Sequence, residues 1–438
     1  MKISTATTPI FPQWICIVPI DSNDYSMSKQ FPKFTITCNM GMAAKLAVIL
    51  FFTLWDAWAT TSLLVEDPCA KAATCGACAT LNNGRNEAEC GWCPVEEKCI
   101  PVNPGLVPST SVCKKENLWI SSDWCTDDFE PEYNETLSEI LIRHSTVVTS
   151  DHPERCADYL GAEYRIIKML ETEPDPSGNT NVALVTESKV EPEMVISFRG
   201  TEVATELLVE SLTAATMWAT TKLGGAINSY FYLGSEKLSP QIQGFVSDFV
   251  KRNPDNYRVH VTGCSLGAAL AALCALDLVS SGLVNPKHLT LITYGEPRVG
   301  NYNLAKAMDA YVPDSWRVIN RNDIITSAPP CISTQKFPWT CERSVLSPFH
   351  HGKEVWFPNG MKDTSAKSYR IGESEDPNGS NSGYPSCSTK GPMCGVDHMY
   401  YYNFFMGIYG RSDCKVYKEW DPNNPYPTYQ DAMWMQWY

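Results

Sequence analysis

The sequence predicts an α/β fold: a mostly parallel sheet with helices on both faces, preceded by a small disulfide-rich module. Three observations carry this. Between residues 128 and 358, short apolar segments alternate with helical patterns of 10–15 residues, the rhythm of parallel βαβ units. The run Gly263-Cys264-Ser265-Leu266-Gly267 sits between one such strand and the helix after it. Of 18 cysteines, eight fall in the 57 residues from Cys69 to Cys125, and ten are spread over the other 381.

Residues 1–39 carry no long apolar run. Met40 to Lys45 then reads as a short basic n-region, and Leu46 to Trp58 as an apolar h-region. Ala57-Trp58-Ala59 offers a small-x-small cleavage site, with Thr60 as the mature start. A signal anchor over 46–65 is the alternative. Asp56 would cost it about 2.5–3.5 kcal/mol, and the uninterrupted run is short for a span. A leader over 1–59, with an internal signal peptide at 40–59, is therefore expected, and with it secretion. Two glycosylation sequons, at Asn134 and Asn378, acquire meaning in that compartment.

Residues 66–127 hold Cys69, Cys75, Cys78, Cys90, Cys93, Cys99, Cys113 and Cys125 among turn residues. Cys75-x-x-Cys78 and Cys90-x-x-Cys93 have zinc-ligand spacing. An exported chain favours disulfides, and eight cysteines allow 105 pairings, which spacing alone does not choose between.

From residue 130 to 438 the α/β pattern takes over. Val182–Val185, Met194–Phe198, Tyr257–Thr262, Leu289–Thr293 and Trp316–Ile319 read as buried strands, and Gln241–Arg252, Leu266–Ser281 and Tyr302–Tyr311 as helices. A Gly/Ser/Asn/Pro-rich stretch over 359–395 and an aromatic tail with Trp420, Trp434 and Trp437 close the chain. The chain is acidic, with 35 Lys+Arg against 49 Asp+Glu and a formal charge of −14. Without a basic stripe it is a poor partner for nucleic acid.

The run at 263–267 fits G-x-S-x-G in its required setting, strand before and helix after. Gly263 and Gly267 permit a sharp turn that lifts the Ser265 hydroxyl above the sheet edge. The small residues that follow let the helix pack close, and its N-terminus directs partial positive charge at a developing oxyanion. A serine nucleophile needs a base and a group to orient it, in the chain order Ser, Asp/Glu, His. Asp323 lies just past a strand, on the edge where α/β sheets bind ligands. After it come His350, His351 and His398; chemistry alone leaves the choice open.

Six ordered blocks resemble the class 3 lipases, the family of secreted fungal triacylglycerol lipases and their animal relatives. They are Val195–Thr201, Gly263–Gly267, Thr293–Asn301, the segment around Asp323 ending at Pro329-Pro330, His350–Trp356 and Asp397–Tyr402. The resemblance implies an α/β-hydrolase. Aligning Glu354 and Trp356 makes His350 the base, His351 a neighbour and His398 a packing residue. It implies oxyanion donors at Thr201 and at the N–H of Leu266, and a lid over Glu202–Leu223, where core packing is the alternative. Cys264 replaces the family's usual elbow histidine and Ala268 its second glycine, which leaves pocket shape open.

Residues 66–127, with Cys90-Gly91-Trp92-Cys93, resemble the PSI module of plexins, semaphorins and integrins. That resemblance implies Cys69–Cys90, Cys75–Cys125, Cys78–Cys99 and Cys93–Cys113, and a module that binds a protein partner or serves structure alone. Cys331–Cys341 and Cys387–Cys394 would close short loops. Cys156–Cys414 would tie the start of the hydrolase to its end, as in the lipase family, leaving Cys264 and Cys274 as free thiols.

The reading is a secreted serine ester hydrolase, a triacylglycerol lipase acting at a lipid–water interface through Ser265, Asp323 and His350, without cofactor or metal. A phospholipase A1 or feruloyl-type esterase would share the triad. A secreted binding protein on an inactive hydrolase fold is the reading from a different class.

Overall fold

A computed structural model of the chain describes residues 67–82, 89–103, 111–173, 180–200, 218–333, 340–361, 368–383, 393–402 and 404–415. The chain divides into two compact units, Met1–Glu66 and Asp67–Tyr438, and all described residues belong to the second. The expected signal peptide, Thr201 with lid residues 202–217, the Cys387–Cys394 pair and the tryptophan tail lie outside what is described.

The cysteine-dense segment is a stapled hairpin. Thr74 caps helix α1 (Cys75–Thr80) by accepting from the Ala77 N–H at 3.2 Å. Strands β1 (Cys90–Cys93) and β2 (Lys98–Pro101) pair antiparallel, with Trp92 opposite Cys99. Four disulfides close it: Cys69–Cys90, Cys75–Cys125, Cys78–Cys99 and Cys93–Cys113. With all eight sulfurs bonded in pairs, the zinc alternative has no thiolate to use.

This hairpin packs into the rest of the unit. The Tyr311 hydroxyl donates to the Asn117 carbonyl at 2.8 Å, and the Trp119 ring meets Tyr311 edge-on at 5.8 Å. The Asn117 amide donates to Ser280 O at 3.0 Å, and that of Asn285 to Asp123 O at 3.0 Å. Cys93, Cys113, Leu118 and Trp119 share one apolar core with Leu278 and Met308.

Next come helices α2 (Glu135–Val147) and α3 (Ala157–Leu160), then strands β3 (Tyr164–Glu171), β4 (Val182–Ser188) and β5 (Glu193–Phe198). Short strands β6 (Trp218–Thr220) and β7 (Ala226–Asn228) lead into α4 (Ser229–Arg252). Then follow β8 (Arg258–Cys264), α5 (Leu266–Ser280), β9 (Leu289–Tyr294), β10 (Gly300–Asn301), α6 (Tyr302–Tyr311) and β11 (Ser315–Asn320). The chain closes with β12 (Pro348–Phe349), β13 (Lys353–Phe357), β14 (Arg370–Gly372), α7 (Met393–Met399), β15 (Tyr400–Tyr401), β16 (Phe404–Phe405) and α8 (Met406–Arg411).

The main sheet runs β14-β13-β11-β9-β8-β5-β4-β3. β5, β8, β9, β11 and β13 are mutually parallel, and β3, β4 and β14 join antiparallel at the flanks. Alternation along β4 divides the core. Ala183 and Val185 pack with α4, α5 and α6 on one face, while Val182 and Leu184 pack with Leu141 and Ile142 of α2 on the other. Cys156–Cys414 joins the start of this region to the turn after α8 across 258 residues, and Cys331–Cys341 closes a loop beyond β11.

Candidate active site

Strand β8 delivers Ser265 to the carboxyl edge of the sheet. Ser265 has φ 58° and ψ −127°, a conformation non-glycine residues avoid, and α5 starts at the next residue. The flanking glycines are a steric requirement. A Cβ on Gly263 would stand 2.2 Å from Gly267 O, and one on Gly267 would stand 2.2 Å from Phe198 O. The Ser265 N–H donates to Tyr294 O at 3.0 Å, pinning the turn to β9. Leu266 is the first residue of α5, where amides have no acceptor within the helix. Gly200, at the end of β5, lies against the same turn: its Cβ would sit 3.5 Å from Ser265 Cβ. Arg199 anchors that strand end, donating to Val148 O at 2.9 Å and Ser150 O at 3.3 Å.

Asp323 caps the single 3₁₀ turn Ile324–Ser327 after β11, its Oδ1 accepting from the Ile325 N–H at 2.9 Å. It is 2% exposed. His398 Nδ1 lies 2.9 and 2.8 Å from its two oxygens, and the Tyr401 hydroxyl donates to Oδ2 at 2.6 Å. Burial and the adjacent carboxylate push the Tyr401 phenol well above its ordinary range, so it stays a donor. Asn320 locks α7 in place, its amide donating to Asp397 O at 3.0 Å and Tyr400 O at 2.8 Å.

Ser265 and His398 converge on one peptide junction. Ser265 bonds the carbonyl of Tyr294, and the next residue is Gly295, with φ 57°. A Cβ on Gly295 would stand 2.5 Å from Asp323 Oδ2 and 2.7 Å from His398 Nδ1. The glycine of the Thr293-Tyr294-Gly295 block is thus the floor under the acid–histidine pair.

His350, expected as the base, does not meet Asp323. Its Nε2 bonds Thr326 O at 2.8 Å, and its backbone N–H donates to Glu375 Oε1 at 2.9 Å. It reaches the far end of the same turn, three residues past Asp323, whose carboxylate is met instead by His398, Tyr401 and the Ile325 N–H. Burial first, and then Arg317, hold His350 well below the usual imidazole range and keep it neutral. His351 points elsewhere. Its Nδ1 is 3.2 Å from Ser315 Oγ, and its Nε2 is 2.8 Å from Glu296 Oε1 but off the line of a hydrogen bond. The signal for His398 was present in the Asp397–Tyr402 block, whose tyrosine also reaches Asp323. Cys264, beside the serine, is a buried free thiol that burial pushes far above its usual range, which makes it a poor nucleophile.

The family model for class 3 lipases matches residues 195–333. Over 255 residues the chain is 32% identical to Lipase ZK262.3 of Caenorhabditis elegans, covering 53% of this chain and 70% of that protein. The chain belongs to the class 3 lipase family. A Rhizomucor miehei lipase is 28% identical over 244 residues, or 55% of this lipase and 60% of the fungal protein. The fold is that of the crystal structure of a lipase from Rhizopus microsporus var. chinensis: TM-score 0.51 at 21% identity, over 65% of this chain and 91% of that one. This lipase is accordingly a serine ester hydrolase.

Proposed function

We propose that the protein is a secreted triacylglycerol lipase working through an acyl-enzyme on Ser265, with His398 as base and Asp323 orienting it. The observation that carries this is the Asp323–His398 pair standing on Gly295, one residue from the carbonyl that pins Ser265. His398 takes the Ser265 proton on Nε2 as Oγ attacks the ester carbonyl. The N–H of Leu266 holds the oxyanion, together with Thr201 by family resemblance. His398 then protonates the departing alcohol. Water, deprotonated by the same histidine, cleaves the acyl-enzyme to the free acid and restores Ser265.

The lipid substrate draws support from the surface near the site. α4 leads into the amino end of β8, so its first two turns, with Leu233 60% exposed, stand at the carboxyl edge that carries Ser265. The segment beyond the Asp323 turn presents Val345 and Leu346 at 58% and 77% exposed. Asn301 secures it through a 2.8 Å bond to Val345 O.

Labelling with a fluorophosphonate tests the assignment. Wild type and His350→Ala should label, while Ser265→Ala and His398→Ala should not. Turnover should fall by about 10⁴-fold or more in His398→Ala. Labelling of His398→Ala at the wild-type rate would overturn it. A panel of triglyceride, phospholipid and short-chain esters then fixes the substrate.

A further inference from the structure

We propose that Arg298, His350 and Glu375 form a buried clamp that fixes the turn carrying Asp323, so that His350 and Arg298 are positioning residues for hydrolysis. Four successive carbonyls of that turn are gripped by two residues. Thr326 O faces His350 Nε2 at 2.8 Å. Ser327 O and Pro329 O accept from Arg298 Nη1 at 2.8 and 3.1 Å. Ala328 O accepts from the Arg298 backbone N–H at 2.8 Å.

Glu375 holds the two gripping residues together. Its Oε1 accepts from Arg298 Nε at 2.8 Å and from the His350 N–H at 2.9 Å, and its Oε2 accepts from Arg298 Nη2 at 3.0 Å. Asn381 completes the set, donating to Glu375 Oε2 at 2.8 Å. The turn in turn holds the acid: the Thr326 hydroxyl donates to Asp323 O at 2.8 Å, and the Ile325 N–H donates to Asp323 Oδ1 at 2.9 Å.

The physical logic is that of a fixed seat. Asp323 orients His398 through a bond whose geometry depends on where this turn sits. An open turn of four carbonyls could adopt several arrangements, whereas four carbonyls bonded to one planar guanidinium group, one peptide N–H and one imidazole have a single arrangement. His350 is neutral there, so it supplies one N–H and no charge. The charge that Arg298 buries is met by Glu375.

The inference rests on the assignment of Asp323 and His398 above. Its test is steady-state kinetics on a soluble short-chain ester, normalised to titrated active sites, alongside melting temperature. His350→Ala should lose about 10²-fold in kcat with KM little changed, the scale of a small misplacement of reacting groups. His350→Gln, whose amide N–H takes the place of Nε2–H, should recover most of that loss. Arg298→Lys keeps the charge against Glu375 but cannot reach both Ser327 and Pro329, and should lose kcat in the same manner; it serves where His350→Ala does not fold. Wild-type kcat per site in His350→Ala or Arg298→Lys, whatever the melting temperature, would overturn the clamp while leaving the triad standing. So would a glutamine variant as impaired as alanine. Wild-type kcat in His398→Ala would instead overturn the triad, and the clamp with it.

Discussion

The residues that decide this site are those with no room for an alternative. Adding one methyl group to Gly267 would drive it into the carbonyl of Phe198. Gly267→Ala should therefore abolish fluorophosphonate labelling even in preparations that keep native far-UV circular dichroism. Tyr401→Phe removes one of the donors to Asp323 and should lower stability by about 1–3 kcal/mol, read by urea unfolding. Glu375 is a pH reporter. Burial alone would raise its carboxyl, but the Arg298 guanidinium, with the N–H donors of His350 and Asn381, more than offsets this and holds it at about 2. A depressed carboxylate stabilises the fold above its unfolded value and loses that contribution as pH falls towards 2. The stability gap between wild type and Glu375→Gln should thus be widest near neutral pH and narrow steadily below about pH 4.5. A gap that stays constant down to pH 2.5 would contradict the ion pair. Ser265 was legible in the sequence because its strand, its turn glycines and the helix after it all lie within a few residues of it. His398 was harder to read: chain order admits three histidines, the Asp397–Tyr402 block carried a signal, and the contact with Asp323 selects one.

Among the elements, those with apolar periodicity were the readable ones. Tyr302–Tyr311 matches α6 end to end, and four of the five expected strands lie within β4, β5, β9 and β11, while Tyr257–Thr262 starts one residue before β8. Helix α4 extends twelve residues further towards the N-terminus than its expected start at Gln241, because Pro240, usually a boundary, sits inside it. Helix α2 was not anticipated, since its buried face is largely polar. Ser138 bonds the Tyr294 hydroxyl at 3.1 Å, Ser145 bonds Thr262 at 3.1 Å, and His144 is buried and held down to about 4 chiefly by desolvation. Such a face hides a hydrophobic stripe from sequence, and its serine hydroxyls find their partners inside the fold. The Leu346 loop belongs to the same scale. Val345→Asp with Leu346→Asp should reduce hydrolysis of emulsified triglyceride severalfold and leave a soluble ester unaffected. Equal loss on both substrates would detach this loop from lipid contact.

At the scale of the whole molecule, the cysteine-dense hairpin is part of one compact body with the hydrolase core. Tyr311→Phe strands the Asn117 carbonyl at that junction. It should cost about 1–3 kcal/mol in global unfolding, read by urea denaturation. The composition already pointed to disulfides in this segment. That its tryptophan and cysteines would share a core with α5 and α6 depends on contacts between residues nearly 200 apart, such as Asn117 with Tyr311, which no local pattern encodes.

The bridge from Cys156 to Cys414 gives the molecule a second route between its parts. Ser265 and Asp323 lie upstream, while His398 arrives on a segment that, among the described residues, is joined to them by the peptide chain and by this one bridge. Were the peptide route cut between Gly383 and Met393, the strand of protein bearing the base would stay tethered for as long as Cys156–Cys414 remained oxidised. A nicked enzyme should keep its turnover in air and lose it on adding dithiothreitol, whereas the intact chain should tolerate the same reductant far longer. Protease and reductant, each harmless alone, would together act as an off switch.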